Sequence, residues 1–374
     1  MSGSWRRWAE TELSAIRQAR RWRAPRDLDA RGPEGVLEDG RRVVSFASND
    51  YLGFTHHPAV IDAALDAVRK WGTGAGSARL IVGSRTIHSE LERSITEWKG
   101  TEATALFPTG FMANLGVLST FGRPGVRILS DELNHASIVD GCRLARADVA
   151  VYRHGDLDHV ASHLDGAEEA IVATDTVFSM DGDLAPLDGL ADLCARHDAL
   201  LVLDEAHAVL GPEPHLEGVD HLRVGTLSKT LGSLGGFVTG PRSLVELVVN
   251  RARSYIFTTA PAPADAGAAL AALRVLMAPE GHRLVQRLRS LVERIAPGHP
   301  SPIIPIVLGS EERALAAADS LLERGLLVPA IRPPTVPEGS SRLRVSLSAA
   351  HTDEHIDRLG DAVAALGIHA RAPA

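Results

Sequence analysis

The sequence predicts an α/β protein in which a large domain with a mostly parallel central sheet precedes a smaller α+β domain. Short apolar runs alternate with helical patterns from about residue 103 to 239, as in parallel strands joined by helices. A new strand pattern begins at 303–308, after a stretch at 297–302 that contains three prolines. The chain of 374 residues is long enough for two domains. We therefore expect an amino-terminal helix and arm at 1–45, a large α/β domain at 46–250, and connecting helices with a small domain at 251–374.

The first elements are predicted from helical spacing and from residues that start helices. Residues 5–23 have helical spacing and several arginines, which indicates an exposed helix. Its arginines either face solvent or contact an anionic substrate. A proline fits the first turn of a helix at 58–70, and residues 87–99 place their apolar side chains on one helical face. A short strand at 43–46 leads into the turn Asn-Asp-Tyr-Leu-Gly at 49–53, which could carry function.

The later elements follow from apolar runs for strands and from 3.6-residue periodicity for helices. Further predicted strands lie at 103–107, 127–130, 170–174, 200–203, 222–226, 237–239, 303–308, 326–331 and 342–348. Further predicted helices lie at 111–120, 188–197, 241–257 and 311–325. The helical region that starts at 241–257 continues to about residue 295 and is interrupted near Pro261 and Pro263. The glycine-rich segment 72–77 predicts a flexible loop. It does not match a dinucleotide-binding motif, because no apolar strand leads into it.

Composition and charge argue against several classes of protein. The formal net charge of −8 argues against general nucleic-acid binding, which needs a basic face. The two cysteines, Cys142 and Cys194, are too few for a disulfide framework and have no zinc-binding spacing. No apolar run approaches the roughly 18 residues of a membrane span, and residues 5–10 lack the apolar segment of a signal peptide. We therefore expect a cytoplasmic protein that has no metal site and binds neither nucleic acid nor membrane.

One strand end gathers side chains that suggest chemistry. The apolar run 200–203 is followed by Asp204 and His207, and a second short strand at 222–226 leads to Lys229. Ligands of open α/β sheets bind beyond the carboxyl ends of the strands. We therefore expect a carboxylate, an imidazole and a lysine at one edge of the sheet.

These residue types fit the requirements of pyridoxal 5'-phosphate. A lysine amine can bond to the cofactor aldehyde as an imine, and an acid beside the pyridine nitrogen keeps the ring an electron sink. The strand-turn-helix segment at 103–120 offers backbone N–H groups of Gly110 and Phe111 to a phosphate. His135 and His207 could stack on the ring and donate to its phenolic oxygen. His135 could equally cap a helix or belong to the core.

Residues 204–207 read Asp-Glu-Ala-His, which is also the Walker-B box of one group of helicases. That function needs an upstream phosphate-binding loop that ends in Gly-Lys-Ser or Gly-Lys-Thr. None of the three lysines in the chain follows a glycine, so the loop is absent. We therefore reject a nucleotide-driven motor.

Several motifs together are typical of one enzyme family. They lie at 49–53, 109–114 (Thr-Gly-Phe-Met-Ala-Asn), 134–137 (Asn-His-Ala-Ser), 177–183 (Val-Phe-Ser-Met-Asp-Gly-Asp), 204–207 and 226–229 (Thr-Leu-Ser-Lys). With these motifs the chain resembles, over nearly its whole length, the α-oxoamine synthases, which are pyridoxal-phosphate enzymes of fold type I. The run Ile-Arg-Pro-Pro-Thr-Val-Pro at 331–337 is its most specific segment. The chain departs from the family pattern at Ala208, where glycine is usual, and in the loop 72–77; neither change removes a chemical group.

The resemblance implies a role for each matching residue. Catalytic roles fall to Lys229, which forms the imine and moves the substrate α-proton, and to His135, which stacks on the ring and donates to the developing oxyanion. The cofactor would be bound by Gly110, Phe111, His135, Ser179, Asp204, His207, Thr226 and Lys229, and by Thr258 and Thr259. This last pair would reach the phosphate of a partner subunit or form a plain loop between helices. The substrates would be bound by Arg21 or Arg23, and by Asn49, His135, Thr335 and Arg344.

The resemblance also implies a reaction and a partner. The run 331–337 favours decarboxylative condensation of L-alanine with a pimeloyl thioester, carried by coenzyme A or by an acyl carrier protein, in biotin biosynthesis. One alternative is another enzyme of the same family that uses glycine. The other is a catalytically silent subunit, although such subunits usually lack the lysine that corresponds to Lys229. Enzymes of this fold place the active site at a two-fold interface. We therefore expect a homodimer that binds small-molecule substrates.

Overall fold

The structure of the chain, a computed structural model, describes residues 3–19 and 21–368. Arg20 and the outer ends of the first and last expected domains, residues 1–2 and 369–374, lie outside the described residues. The helices are α1 (Ser4–Gln18), α2 (Pro58–Trp71), α3 (Thr86–Lys99), α4 (Gly110–Phe121), α5 (Ala136–Leu144), α6 (Leu157–Leu164), α7 (Leu187–His197), α8 (Arg242–Arg251), α9 (Arg253–Ile256), α10 (Pro263–Met277), α11 (Pro279–Ile295), α12 (Glu311–Glu323) and α13 (Asp353–Ala365). The strands are β1 (Leu28–Arg31), β2 (Glu34–Leu37), β3 (Arg42–Ser45), β4 (Ala103–Phe107), β5 (Arg127–Asp131), β6 (Asp148–Tyr152), β7 (Ala170–Asp175), β8 (Leu200–Asp204), β9 (His221–Thr226), β10 (Gly236–Gly240), β11 (Ile303–Gly309), β12 (Leu326–Leu327), β13 (Ala330–Ile331) and β14 (Ser341–Ser346).

The central sheet has seven strands in the order β4-β10-β9-β8-β7-β5-β6. Strands β9, β8, β7, β5 and β6 are parallel neighbours, and β10 runs antiparallel between β4 and β9. Every residue of β7 is buried, which explains why this strand reads as a continuous apolar run. The predicted α/β fold with a mostly parallel sheet is confirmed.

Apolar packing covers both faces of this sheet. In β8, Val202 packs in one buried cluster with α4, whereas Leu201 and Leu203 pack in another with α7. This alternation is the normal consequence of the two-residue period of a strand. The apolar residues of β8 end at Leu203, so the first polar side chain of this strand, Asp204, lies at its carboxyl end.

Two smaller sheets involve both ends of the described chain. One has the order β1-β2-β3-β12, with β12 parallel to β3, and the other has the order β11-β14-β13. The strand predicted at 326–331 is wrong as a single strand, because β12 and β13 belong to different sheets. Helix α1 is exposed along its length, as predicted, and ends at Gln18. The division of the chain into three domains stays a prediction.

The sequence patterns do not predict β1, β2, β6, α5, α6 or α13. Strand β6 lies at the edge of the central sheet, where Val149 and Val151 are exposed, so it has no buried apolar run. Helices α6 and α13 begin at polar N-caps, Asp156 and Thr352, rather than within an apolar pattern.

No helix within residues 3–19 and 21–368 is long and apolar enough to cross a membrane. Over the same ranges, no group of three or more His, Cys, Asp or Glu side chains is arranged to hold a metal ion. Cys142 and Cys194 are both buried, free thiols.

Candidate active site

The carboxyl ends of β7, β8 and β9 meet at one edge of the central sheet. Strand β7 ends at Asp175, which pairs in register with Asp204 at the end of β8, and Lys229 follows the end of β9. These residues line a cavity of about 200 Å³. The cavity is also lined by five other residues predicted for the cofactor, Gly110, Phe111, His135, His207 and Thr226. The parallel sheet therefore brings together seven of the predicted site residues.

The Asp204 carboxylate is buried and held by two donors. Its Oδ2 accepts from Asn114 Nδ2 at 2.6 Å, and its Oδ1 accepts from the Ala206 backbone N–H at 2.9 Å. Asn114 lies on α4 and also donates to Ser137 Oγ at 2.9 Å. The sequence motif 109–114 contains Asn114, but only the fold shows that it orients the acid. A carboxylate fixed in this way can face a cationic ring nitrogen without rotating.

Lys229 provides the amine of the cavity. Burial lowers the pKa of this lysine, although the negative charges of Asp204 and Asp175 act in the opposite direction. A lowered pKa increases the fraction of neutral amine, which is the nucleophilic and basic form.

His135 is both a helix cap and a cavity residue. Its Nδ1 accepts from the Ser137 backbone N–H at 3.2 Å and lies 2.7 Å from Ser137 Oγ, at the start of α5. Burial lowers the pKa of His135, which favours a neutral imidazole with its proton on Nε2. Its own backbone N–H donates to Asp175 Oδ2 at 2.7 Å. The two interpretations of His135 from sequence are therefore compatible.

The amino terminus of α4 forms one wall of the cavity. Thr109 caps this helix by accepting from the Met112 backbone N–H at 3.1 Å. A methyl group on Gly110 would lie 3.2 Å from Thr226 Cβ, so a larger residue there would require Thr226 to shift. Thr226 Oγ1 lies 2.7 Å from Ser228 Oγ, which adds two hydroxyl groups beside the helix end. Free N–H groups, a positive helix end and hydroxyl groups fit a phosphate.

The donor set as a whole fits pyridoxal phosphate. An amine with a lowered pKa, a fixed carboxylate, a neutral imidazole and a phosphate cradle open on the same cavity. A Cβ at Gly110 would lie 3.2 Å from Thr226 Cβ and 3.6 Å from Thr226 Oγ1, so glycine keeps the helix end close to this hydroxyl. Each group that the cofactor requires is therefore present among the cavity residues.

Arg344 and Asn49 lie together outside the cavity lining. Arg344 Nη2 donates to Asn49 Oδ1 at 3.2 Å, and Arg344 Nε donates to the backbone carbonyl of Ser179 at 2.5 Å. Ser179 therefore approaches the group through its backbone, and its side chain does not line the cavity. Tyr51 joins this group to the cavity, because its hydroxyl lies 3.2 Å from Asn49 Oδ1 and 2.6 Å from His207 Nδ1.

The remaining predicted residues also lie outside the cavity lining. Arg21 Nη2 donates to Glu311 Oε1 at 2.7 Å, and Arg332 Nη1 lies 3.5 Å from Glu311 Oε2. Arg21 is thus tied to the run that contains Thr335, whereas Arg23 is exposed on the surface. The other predicted pair, Thr258 and Thr259, follows α9 and does not line the cavity of its own chain.

Comparison with known proteins places this geometry in a family. Residues 41–363 match the family of class I and II aminotransferases. The 8-amino-7-oxononanoate synthase of Anaeromyxobacter dehalogenans is 46% identical, over 96% of this chain and 95% of that protein. A solved serine palmitoyltransferase from S. paucimobilis, with bound pyridoxal phosphate and myriocin, has a TM-score of 0.88 at 30% identity, covering 96% of this chain and 97% of that chain. The 8-amino-7-oxononanoate synthase of Francisella tularensis has a TM-score of 0.72 at 27% identity, covering 87% and 96% of the two chains.

The two solved structures show the fold, since serine palmitoyltransferase and 8-amino-7-oxononanoate synthase both superpose on the chain over most of its length. The family is indicated by the relatives of higher identity. Those named 8-amino-7-oxononanoate synthase reach 46% identity over nearly the whole chain. The chain therefore belongs to the 8-amino-7-oxononanoate synthases within the class I and II aminotransferase family, and it is a pyridoxal-phosphate-dependent acyltransferase.

Proposed function

We propose that this enzyme condenses L-alanine with a pimeloyl thioester and releases CO2, a free thiol and 8-amino-7-oxononanoate, in biotin biosynthesis. The observation that carries the proposal is the convergence of Asp204, Lys229 and the amino terminus of α4 on one cavity. The names of relatives that are 46% identical over nearly the whole chain support the choice of product.

The residues of the cavity divide into those that hold the cofactor and those that act on substrate. When bound, pyridoxal phosphate supplies an aldehyde for covalent attachment and a conjugated ring that stabilises negative charge on the carbon beside the attached nitrogen. Asp204 would hold the protonated pyridine nitrogen, because its carboxylate is buried and already oriented. The phosphate would be held by Gly110, Phe111 and Thr226, the ring face by His135, and the phenolic side by His207 and Ser179.

Lys229 is the residue proposed to move the α-proton of alanine. Its buried amine has a lowered pKa, which increases the fraction of neutral amine that can accept a proton from carbon and return it later. Removal of this proton lets the alanine Cα attack the thioester carbonyl carbon. A carbon–carbon bond forms, the thiolate leaves, and CO2 is lost from the alanine carboxylate.

His135 is proposed to stabilise the oxygen that becomes negative during this attack. Because Nδ1 is occupied by Ser137, Nε2 carries the proton that the imidazole can donate. A fixed donor of this kind is worth about 10²–10³-fold in rate when it meets a developing oxyanion.

The substrate carboxylate is proposed to bind Arg344 and Asn49. The Arg344 guanidinium is buried and bonded to Ser179, Ser346 and Asn49 through one N–H each of Nε, Nη1 and Nη2. The guanidinium also hydrogen-bonds to the Tyr51 hydroxyl, so it is a fixed, buried cation of the kind that binds a carboxylate. The position of these residues beside Tyr51 and His207 supports this role.

Arg21 and Thr335 are proposed to contact the acyl donor. Arg21 is a better candidate for this role than Arg23, because its ion pair with Glu311 holds it beside residues 331–337. The thiol carrier is either coenzyme A or an acyl carrier protein. A pimeloyl group has an apolar chain that ends in a carboxylate, and an arginine can bind this carboxylate.

We propose that two copies of the chain form a homodimer around the sites. Leu80, Ile81 and Val82, in a π-helical turn at Arg79–Gly83, are exposed and apolar, as is Phe257. The Ala260 backbone N–H donates to the Ser77 carbonyl at 3.0 Å, which links the segment after α9 to the glycine-rich loop. An apolar surface of this kind supports a protein interface. Thr258 and Thr259 would then reach the phosphate in the partner subunit.

The cytoplasm is the proposed location of the enzyme. Cys142 and Cys194 are free and buried, as is usual in a reducing compartment. The substrates proposed here are intermediates of small-molecule metabolism.

One assay tests the proposed function. Purified protein loaded with pyridoxal phosphate is mixed with pimeloyl-CoA and L-alanine, and free thiol and the condensation product are measured. L-alanine is compared with glycine and with L-serine, and Lys229→Ala serves as the inactive control. We expect thiol release with L-alanine at a kcat/KM at least tenfold above that with either competitor. Preference for glycine or L-serine would overturn the proposed substrate, and full activity of Lys229→Ala would overturn the proposed base. A protein that takes up no cofactor and releases no thiol would be a silent subunit.

A further inference from the structure

A buried hydroxyl lies against the imidazole of His207. The Tyr51 hydroxyl is 2.6 Å from His207 Nδ1, and the two rings meet edge to face with centroids 6.0 Å apart. The side chain of Tyr51 is 0% exposed and that of His207 is 4% exposed, so water does not compete for the contact. His207 lines the cavity and Tyr51 does not. The contact therefore acts on a cavity residue from outside the cavity lining.

The turn that carries Tyr51 is itself held by hydrogen bonds. The Asp50 carboxylate accepts from the Phe54 backbone N–H at 2.8 Å, and Ser348 Oγ donates to the Asp50 carbonyl at 2.6 Å. The Ala349 backbone N–H donates to the Tyr51 carbonyl at 2.8 Å. The backbone is fixed on both sides and the Tyr51 ring is fully buried, which holds the Tyr51 hydroxyl near the end of β8.

Both rings are electrically neutral near pH 7. Burial lowers the pKa of His207 well below its usual value, and the charges of Lys229 and Arg344 lower it further. Burial raises the pKa of Tyr51 to about 12. A neutral imidazole has one N–H and a phenol has one O–H, so only one of the two groups donates in the hydrogen bond between them.

The contact distances decide where those protons lie. The phenol proton has two candidate acceptors, His207 Nδ1 at 2.6 Å and Asn49 Oδ1 at 3.2 Å. The shorter contact favours donation to His207 Nδ1, which places the imidazole proton on Nε2. Among the described residues, no hydrogen bond engages His207 Nε2, which leaves this N–H for a ligand in the cavity.

We propose that Tyr51 is a positioning residue that holds His207 as the Nε2–H tautomer, so that His207 presents a donor to the phenolic oxygen of the bound cofactor. The inference rests on the proposed function, since it deepens the role given there to His207. A donor at this oxygen stabilises its negative charge and lowers the pH at which the bound cofactor loses a proton. The Tyr51 hydroxyl also contacts Asn49, the residue proposed to bind the substrate carboxylate, so one side chain links that residue to His207.

The test compares Tyr51→Phe with Tyr152→Phe. Both changes remove one hydroxyl from a fully buried tyrosine, but Tyr152 lies on the edge strand β6 and outside the cavity lining. In the loaded enzyme, absorbance of the bound cofactor is titrated against pH, and the cofactor dissociation constant is measured. We expect Tyr51→Phe to raise the absorbance midpoint by about 0.5–1 unit, a proton-affinity change of roughly three- to tenfold. Tyr152→Phe should leave the midpoint unchanged.

A second measurement reads the tautomer directly. With ¹⁵N-labelled histidine, His207→Gln identifies the His207 nitrogen signals, and their shifts show which nitrogen is protonated. A proton on Nδ1 in the unmutated enzyme would overturn the inference, as would equal midpoints in Tyr51→Phe and the unmutated enzyme. An equal shift in Tyr152→Phe would do the same, because it would indicate a general effect of lost packing. Failure of the proposed function is recognised separately, since the midpoint shift does not require turnover of alanine.

Discussion

Asp175 and Asp204 lie side by side at the ends of adjacent parallel strands, and both line the cavity that contains Lys229. Their environments differ. Asp204 is held by the side chain of Asn114 and the backbone of Ala206, whereas Asp175 accepts a backbone N–H. Burial and the negative charge of Asp204 raise the pKa of Asp175 well above its usual value. Asp175 therefore holds its proton more tightly than an ordinary carboxyl group. We assign the negative charge of the pair to Asp204, whose carboxylate oxygens accept two hydrogen bonds.

Exchanging each acid for its amide tests this assignment. Asp204→Asn should lower kcat by about 10²–10³-fold, because it removes a charge positioned for the cofactor. Asp175→Asn should cost less than about tenfold, because an amide has the shape of the neutral carboxyl group and can still accept from His135. Steady-state kinetics and the cofactor dissociation constant of both variants provide the measurement. Equal losses in the two variants would show that Asp175 is also charged.

Gly110, at the start of α4, allows a test of the proposed phosphate-binding site. In Gly110→Ala, the new methyl group would lie 3.2 Å from Thr226 Cβ, so the hydroxyl wall must move outward. We expect weaker binding of pyridoxal phosphate by about tenfold, measured by equilibrium dialysis. Gly360→Ala is the matched control, because its Cβ lies in helix α13 with no atom nearer than 4.0 Å. The control should bind cofactor normally and gain up to about 1 kcal/mol in free energy of unfolding.

Much of the cavity could be predicted from sequence, for one physical reason. Parallel strands end at a shared edge, so Asp204 and Lys229, 25 positions apart in the chain, must come close once two buried strands are recognised. Gly110 follows from the strand-turn-helix pattern in the same way. These residues depend on the local pattern and on one general property of sheets.

The contacts that cross between distant segments could not be predicted. Tyr51 and His207 are separated by 156 positions, and no periodicity links them. Arg21 meets Glu311 across 290 positions, so its partner depends on how α12 packs beside the amino-terminal arm. The Asp-Glu-Ala-His motif likewise does not reveal that the fold places Glu205 in a buried ion cluster. Such partners are determined by tertiary packing alone.

This ion cluster supports the chain beside Asp204. The Glu205 carboxylate lies 2.8 Å from Lys99 Nζ and 2.5 Å from Arg223 Nε, and these three side chains are at most 9% exposed. The opposite charges of Lys99 and Arg223 lower the pKa of Glu205 against the effect of its burial. The cluster joins the end of α3 to strands β8 and β9, immediately behind the cofactor cavity.

Removing the charge of Glu205 should therefore destabilise the protein strongly. Glu205→Gln leaves Lys99 without a carboxylate and Arg223 with only the exposed Glu213, and we expect a loss of about 3–5 kcal/mol in free energy of unfolding. Glu169→Gln is the matched control, because its ion pair with Arg123 is about half exposed on both sides and its loss should leave the free energy of unfolding nearly unchanged. Urea unfolding of both variants at pH 7 distinguishes them. A small loss in Glu205→Gln would show that water enters the cluster.

His154 joins two segments that carry predicted site residues. Its Nδ1 lies 3.0 Å from Asp131 Oδ1, at the end of β5 before His135, and its Nε2 lies 2.7 Å from Asp183 Oδ2, in the loop after Ser179. The hydrogen bonds and charges of Asp131 and Asp183 raise the pKa of His154 to about 10, against the effect of partial burial. The imidazole is therefore a cation that bridges two carboxylates at neutral pH.

This bridge should make part of the stability depend on pH. Because the folded pKa of about 10 exceeds the usual value of 6.5, folding favours the protonated form. The stabilisation is complete below about pH 6.5 and is lost as pH rises towards 10. His154→Gln should therefore lose about 1–3 kcal/mol at pH 6 and much less above pH 10, measured by urea unfolding. The exposed His215→Gln is the control and should show no such difference. A loss in His154→Gln that is equal at both pH values would mean that the imidazole acts only by packing against Phe178, which its ring meets edge to face at 4.4 Å.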